Sequence, residues 1–145
     1  MSETFCRLRA VNAGREYNDV EISQRTFLEQ YVKPFRMAFK SKACYGHDSV
    51  LMLLTVKPIS GNKELLKGLL RDKEGFEGTV ISDWGSIGQL EEQGVAADME
   101  EAAIQASEAG VDIDMMSPAY MLCLEKLVES GKIPEAFVDE SAFRA

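Results

Sequence analysis

Residues 78–90 read GTVISDWGSIGQL. Thr79, Val80 and Ile81 predict a buried strand, because β-branched side chains pack well on a pleated surface. The glycines at 85 and 88 predict that the chain turns immediately afterwards. Asp83 and the only tryptophan of the chain, Trp84, therefore fall where that strand ends. At such a position an aspartate either accepts backbone N–H bonds and shapes the loop or meets a ligand, and position alone leaves both open. Trp84 is likewise either core or an exposed platform.

Working outward, the same rhythm repeats. SVLMLLTV at 49–56 is a nearly unbroken apolar run, the pattern of a strand covered on both faces. VDIDM at 111–115 alternates strictly and predicts a third strand. Helices are predicted between and around these strands. Ser23 caps a segment to about Lys40 with Phe27, Leu28, Tyr31, Val32, Phe35 and Phe39 at helical spacing, kinked at Pro34. Asn62 caps KELLKGLLRD, with Leu65, Leu66, Leu69 and Leu70 in one stripe. Asp98 and Glu101 form an acidic capping box for MEEAAIQASEA, which Gly110 ends. Ser117 and Pro118 open AYMLCLEKLVES, which stops at Gly131, and Pro134 begins a short C-terminal segment.

Strands starting near Val50, Thr79 and Val111, each followed by a helix, form a βαβ train and predict an α/β fold with a parallel sheet. The train suits either a small open α/β domain or part of a (β/α)8 TIM-like barrel. In both, reactive groups gather at the carboxyl ends of strands. Asp83, Trp84, Asp112 and Asp114 are the residues so positioned. Asp112 and Asp114 stand at i and i+2 on one face, which favours a structural, hydrogen-bonding role for the pair. A tryptophan beside a carboxylate also suits a sugar site, where the ring stacks on an apolar sugar face and the carboxylate attacks the anomeric carbon.

Composition narrows the classes. With 24 Asp+Glu against 16 Lys+Arg, a nucleic acid or an anionic membrane surface is disfavoured as a partner. Cys6, Cys44 and Cys123 are odd in number and far apart, and with one histidine they predict neither a zinc site nor a disulfide framework; no metal and no cofactor is expected. His47 precedes the first predicted strand, at its amino end, and reads as a loop residue. Met52, Met115, Met116 and Met121 read as core filler. There is no G-x-S-x-G and no phosphate-binding loop. The start MSETFCRLRA lacks a signal-peptide core, so the chain as written is expected in the cytoplasm.

Four stretches, GREYNDVEIS, YVKPFRMAF, GNKELLKGLLRDKEGFEGTVISDWGSIGQL and AGVDIDMMSPAYMLCLEKLVESGKIPEAFVDES, resemble in order and spacing the later part of the N-terminal domain of glycoside hydrolase family 3, in its β-glucosidase-like branch. The resemblance implies that residues 1–145 are a partial barrel domain with no second domain, and that Asp83 is the nucleophile of a retaining β-glycosidase. It implies that Trp84 lines the sugar subsite with Met115 nearby. The implied partner is a β-glucoside or related oligosaccharide, and the implied location becomes periplasmic or secreted if the gene product extends upstream of Met1.

Departures from the family pattern lower the expected activity of the chain. A Lys-His pair that contacts sugar hydroxyls in the family is replaced by Glu3 and Thr4. A polar segment between Val50 and Pro58 is replaced by the shorter, apolar LMLLTVK. No residue is matched to the general acid, which a retaining mechanism needs about 5–5.5 Å from the nucleophile. Two other readings stand beside this one: a non-catalytic α/β fragment that self-associates or docks on a missing half-barrel, and an acidic Mg²⁺ pocket made by Asp83, Asp112 and Asp114.

Overall fold

The structure, a computed structural model, describes residues 2–5, 19–40, 46–49, 53–54 and 57–145. Cys6, Cys44 and Met52 lie outside them. A parallel sheet is present, but of the three predicted strands only the one over Thr79–Ile81 lies where expected, and residues 111–115 contribute a single bridge. Strands β1 (Ser2–Phe5), β3 (Gly46–Ser49) and β6 (Thr79–Ile81) lie side by side in that order, all parallel. Ile113 extends the sheet with a parallel bridge to Ile81. A second sheet joins β2 (Asp19–Val20) to β4 (Leu53–Leu54) in parallel and β4 to β5 (Lys57–Pro58) in antiparallel fashion.

Two expectations about the first strand need correction. The strand is Gly46–Ser49, earlier than the apolar run, and His47 lies inside it, level with Val80, rather than in a loop before it. Of the apolar run, Leu53 and Leu54 pair with Asp19 and Val20 in the second sheet instead of with β6. Ser2–Phe5 is a further strand that its mixed composition did not signal.

The helical segments follow their local chemistry. Ser23 Oγ accepts the Thr26 N–H at 3.1 Å, starting α1 (Gln24–Thr26). The chain continues through the π-wound stretch Phe27–Val32 into α2 (Lys33–Lys40), so the widened turns precede Pro34, whose missing N–H disturbs the ladder there. Asn62 Oδ1 accepts the Leu65 N–H at 3.1 Å and caps the π-wound helix Glu64–Lys73, which buries Leu65, Leu66 and Leu70. The turn after Asp83 holds a short helix, α3 (Gln89–Glu92). Asp98 Oδ1 accepts the Glu101 N–H at 2.8 Å and opens α4 (Met99–Ala109). Gly110, at φ 91°, closes α4 by directing Val111 N–H back to the Ala106 carbonyl. α5 (Ala119–Glu129) ends before Gly131, and the segment after Pro134 is a full helix, α6 (Glu135–Arg144).

The core forms where these helices cover the strand β6. Val80, Val111, Ile59, Leu66, Leu70, Ile87 and Leu90 are wholly buried. α4 contributes Ala102, Ala103, Ala106 and Ala109, small side chains that let it pack closely on its neighbours.

The alternation expected for VDIDM is broken by one buried carboxylate. Asp112 is buried and Ile113 is exposed. Asp112 Oδ2 accepts from Arg71 Nη2 at 2.6 Å and from Val80 N–H at 2.8 Å, and its Oδ1 accepts from Ser141 Oγ at 2.9 Å and Arg144 Nη2 at 2.8 Å. Arg71 also donates to the carbonyls of Gly78 and Gly110, at 3.1 and 3.2 Å. Burial pulls the Arg71 guanidinium below its ordinary value, and the charge of Asp112 opposes that pull. The group ties the Glu64–Lys73 helix and α6 to the end of the sheet.

Removing the buried carboxylate takes the main partner from two partly buried guanidinium groups and from the Val80 N–H, so Asp112→Ala is expected to destabilise the fold by about 2–4 kcal/mol. Urea unfolding followed by circular dichroism measures this; a loss below about 1 kcal/mol would show that the cluster is not a structural tie.

Candidate active site at the end of β6

The chain leaves β6 at Ser82, and that residue joins two strand-end loops. Ser82 N–H donates to the Ile113 carbonyl at 2.8 Å, and Ser82 Oγ accepts the Met115 N–H at 2.8 Å. Gly85 N–H then donates to the Met115 carbonyl at 2.8 Å. Three hydrogen bonds thus clamp the Ser-Asp-Trp turn onto residues 113–115. Gly85 stands at φ 66°, a left-handed conformation that a side chain would strain, and Ser86 N–H closes the turn on the Asp83 carbonyl at 3.0 Å. A buried hydroxyl pair, Ser86 Oγ to Ser60 Oγ at 2.7 Å, anchors the turn from below to the residues that precede the Glu64–Lys73 helix.

Asp83 is half-buried at the head of this turn. Its Oδ1 accepts the Trp84 N–H at 2.7 Å, and among the described residues its Oδ2 accepts no hydrogen bond. Of the two roles left open by the sequence, the loop-shaping one is seen here, carried by Oδ1. Trp84 is not core: it is 63% exposed. Met115 is partly buried and is held against the turn through both its N–H and its carbonyl. The next residue, Met116, has φ 64° and is 64% exposed, and Met121 on α5 is exposed too, so these two are not core filler. Met121 lies on the face of α5 away from its buried residues Ala119, Cys123 and Leu127.

Asp114 acts as expected, as a structural acceptor. It takes hydrogen bonds from Ser117 Oγ and from Tyr120 N–H, the latter at 3.2 Å, and so caps α5. Tyr120 in turn donates its hydroxyl to the Val111 carbonyl at 2.8 Å; burial, with Asp114 and Asp112 nearby, raises its phenol well above the ordinary tyrosine value. With Asp112 locked between two arginines and Asp114 committed to α5, Asp83 gains no carboxylate partner from either, which removes the Mg²⁺-pocket reading. Among the described residues no group of three or more acidic, histidine or cysteine side chains is arranged to hold a metal ion.

Beside the turn lies an open cleft of about 550 Å³ lined by Trp84, Glu91, Glu92, Met99, Met116 and Pro118 among others. The sequence reading missed it, and it missed the clamp of Ser82. A small hydroxyl residue that ends an apolar strand was the available signal for the clamp. No comparable signal marked the cleft, because it is assembled from α3, α4 and the turn before α5.

A parallel sheet flanked by helices defines an α/β protein, a class in which ligands generally bind at the carboxyl ends of the strands, where Asp83 stands. Comparison with known proteins identifies which kind. The Glycosyl hydrolase family 3 N terminal domain profile matches residues 8–145. The chain is 35% identical over 140 residues to a periplasmic beta-glucosidase of Salmonella typhimurium, covering 94% of this chain and 18% of that protein. It is 35% identical over 113 residues to a beta-xylosidase of Formosa agariphila, covering 74% and 14%. The crystal structure of a beta-glucosidase from Listeria innocua in complex with glucose superposes with a TM-score of 0.93 at 33% identity, covering 98% of this chain and 20% of that one. The chain belongs to glycoside hydrolase family 3 and spans at most a fifth of the length of these relatives. Among the described residues, no helix is long and apolar enough to cross a membrane.

Replacing Ser82 by alanine removes the acceptor for the Met115 N–H. The expected cost is about 1–3 kcal/mol, with faster hydrogen exchange at the Met115 and Gly85 amides. Unchanged exchange at both amides would show that the two loops are held independently.

Proposed function

We propose that this chain carries the nucleophile of a retaining glycoside hydrolase that acts on terminal β-glycosides, β-glucosides foremost. The observation that carries the reading is Asp83, with one oxygen fixed by the Trp84 N–H and the other free among the described residues, at the carboxyl end of a parallel strand. In this reading the parallel strands are consecutive staves of a (β/α)8 barrel, and residues 1–145 are part of that one domain. The Asp83 carboxylate attacks the anomeric carbon, the C–O bond to the aglycone breaks, and the leaving oxygen takes a proton from a general acid. Water then attacks the glycosyl–aspartate ester and restores the carboxylate. Trp84 offers its exposed ring to a sugar face, and Met115 borders the same subsite. The periplasmic relative supports a periplasmic or secreted setting for a longer gene product.

No carboxyl group of the chain is assigned as the general acid, and that help is worth about 10²- to 10⁴-fold. The chain by itself is therefore expected to be slow on ordinary glycosides, with a better chance on activated ones. Incubation with a 2-deoxy-2-fluoroglucosyl fluoride, which brings its own leaving group, should give a one-sugar adduct by intact mass measurement that Asp83→Asn does not form. No adduct on the unaltered chain, or an adduct that persists in Asp83→Asn, overturns the assignment.

A second reading, a non-catalytic α/β fragment that associates with itself or with a partner half-barrel, is favoured by one observation. Ile113, on the bridge that ends the sheet, is exposed, and Leu122 and Met121 on α5 are exposed as well. Static light scattering should then give a mass above that of one chain; a monodisperse monomer counts against self-association.

A further inference from the structure

The cleft beside Trp84 has a chemical character of its own. Its wall offers the exposed indole and the side chains of Met99 and Met116, and its rim carries Glu91 and Glu92. Both glutamates are exposed, and among the described residues neither makes an ion pair. Among the described residues that line the cleft there is no lysine and no arginine. An indole face is the best aromatic surface for a cation, and thioether sulfur is soft and polarisable against an alkylated ammonium. The carboxylates add attraction of the same sign, and the chain as a whole carries a net charge of −8. A neutral apolar molecule would gain only contact area here, and an anion would be repelled by the rim.

We infer that this cleft binds small organic cations in which an ammonium group adjoins an apolar or aromatic group. Asp83 is not among the cleft's lining residues, but Trp84 is shared with the sugar subsite proposed above. The cation–π contact at an exposed site and the two surface carboxylates are modest individually. Together they favour a cation over a neutral molecule of the same shape by about five- to tenfold, a preference that salt weakens.

Trp84 is the chain's only tryptophan, so its fluorescence reports the cleft directly. The test is titration at low ionic strength with benzyltrimethylammonium, benzyl alcohol and benzenesulfonate. A saturable change in Trp84 emission is expected with the ammonium at a concentration at least fivefold lower than with the alcohol, and no saturation with the sulfonate. The variant Glu91→Gln/Glu92→Gln, with its folded circular dichroism retained, should keep only the part of the preference for the ammonium that the Trp84 ring supplies, about two- to fivefold over the alcohol. Equal binding of all three probes to the unaltered chain, no saturable change with the ammonium, or a preference undiminished in the variant would overturn the inference. Failure of the fluorosugar to label Asp83 bears on the glycosidase reading and leaves this result unaffected.

Discussion

A buried carboxylate governs how this structure holds together. Asp112 has no exposed side-chain surface, and it is surrounded by five donor groups drawn from the Glu64–Lys73 helix, β6 and α6. A charge in such a place is tolerable only when its lone pairs are matched and its countercharges are close. The match fixes the distance between two helices and the sheet at once, more tightly than apolar contacts alone, which tolerate sliding. It also supplies an acceptor for the Val80 N–H in the middle of β6. The strand that leads to Asp83 is therefore positioned by electrostatics from behind and by apolar packing from its faces.

The site inherits that placement. Ser82 follows the fixed strand directly, and its backbone and hydroxyl bring residues 113–115 into line with the turn. Asp83 then needs little further support. Its own carboxylate takes the Trp84 N–H, and Ser86 closes the turn behind it. The glycine at 85 is required because the turn passes through a left-handed conformation, and no neighbouring atom crowds the place where a side chain would stand. Backbone geometry, not crowding, selects glycine there.

Much of this was legible in the sequence because it is local. Caps at Ser23, Asn62 and Asp98, the stop at Gly110 and the strand over Thr79–Ile81 each depend on a few adjacent residues, and each is found where its chemistry predicts. The family resemblance was legible for the same reason, since its motifs are contiguous. What could not be read was non-local. The apolar run at 49–56 signals burial but not which sheet it joins; Leu53 and Leu54 pair with Asp19–Val20, and the strand beside β6 is Gly46–Ser49. Alternation in VDIDM put Asp112 and Asp114 on one face in a hydrogen-bonding role but could not name their partners; Arg71 and Arg144, remote in sequence, are what allow Asp112 to be buried. The exposed methionines 116 and 121 were misread because hydropathy ranks residues without knowing which face of the chain is covered.

The clamp between the Ser-Asp-Trp turn and residues 113–115 has a consequence for how such a site can diversify. Two adjacent strand ends joined by three hydrogen bonds move as one plate, so neither loop can lengthen or bend without releasing the other. Shape adaptation at this end of the sheet is thereby confined to side chains borne on the plate and to loops from the other strands. In a descendant of this fold, exposed side chains such as Trp84 or Met116 are free to be exchanged while the plate beneath them stays the same.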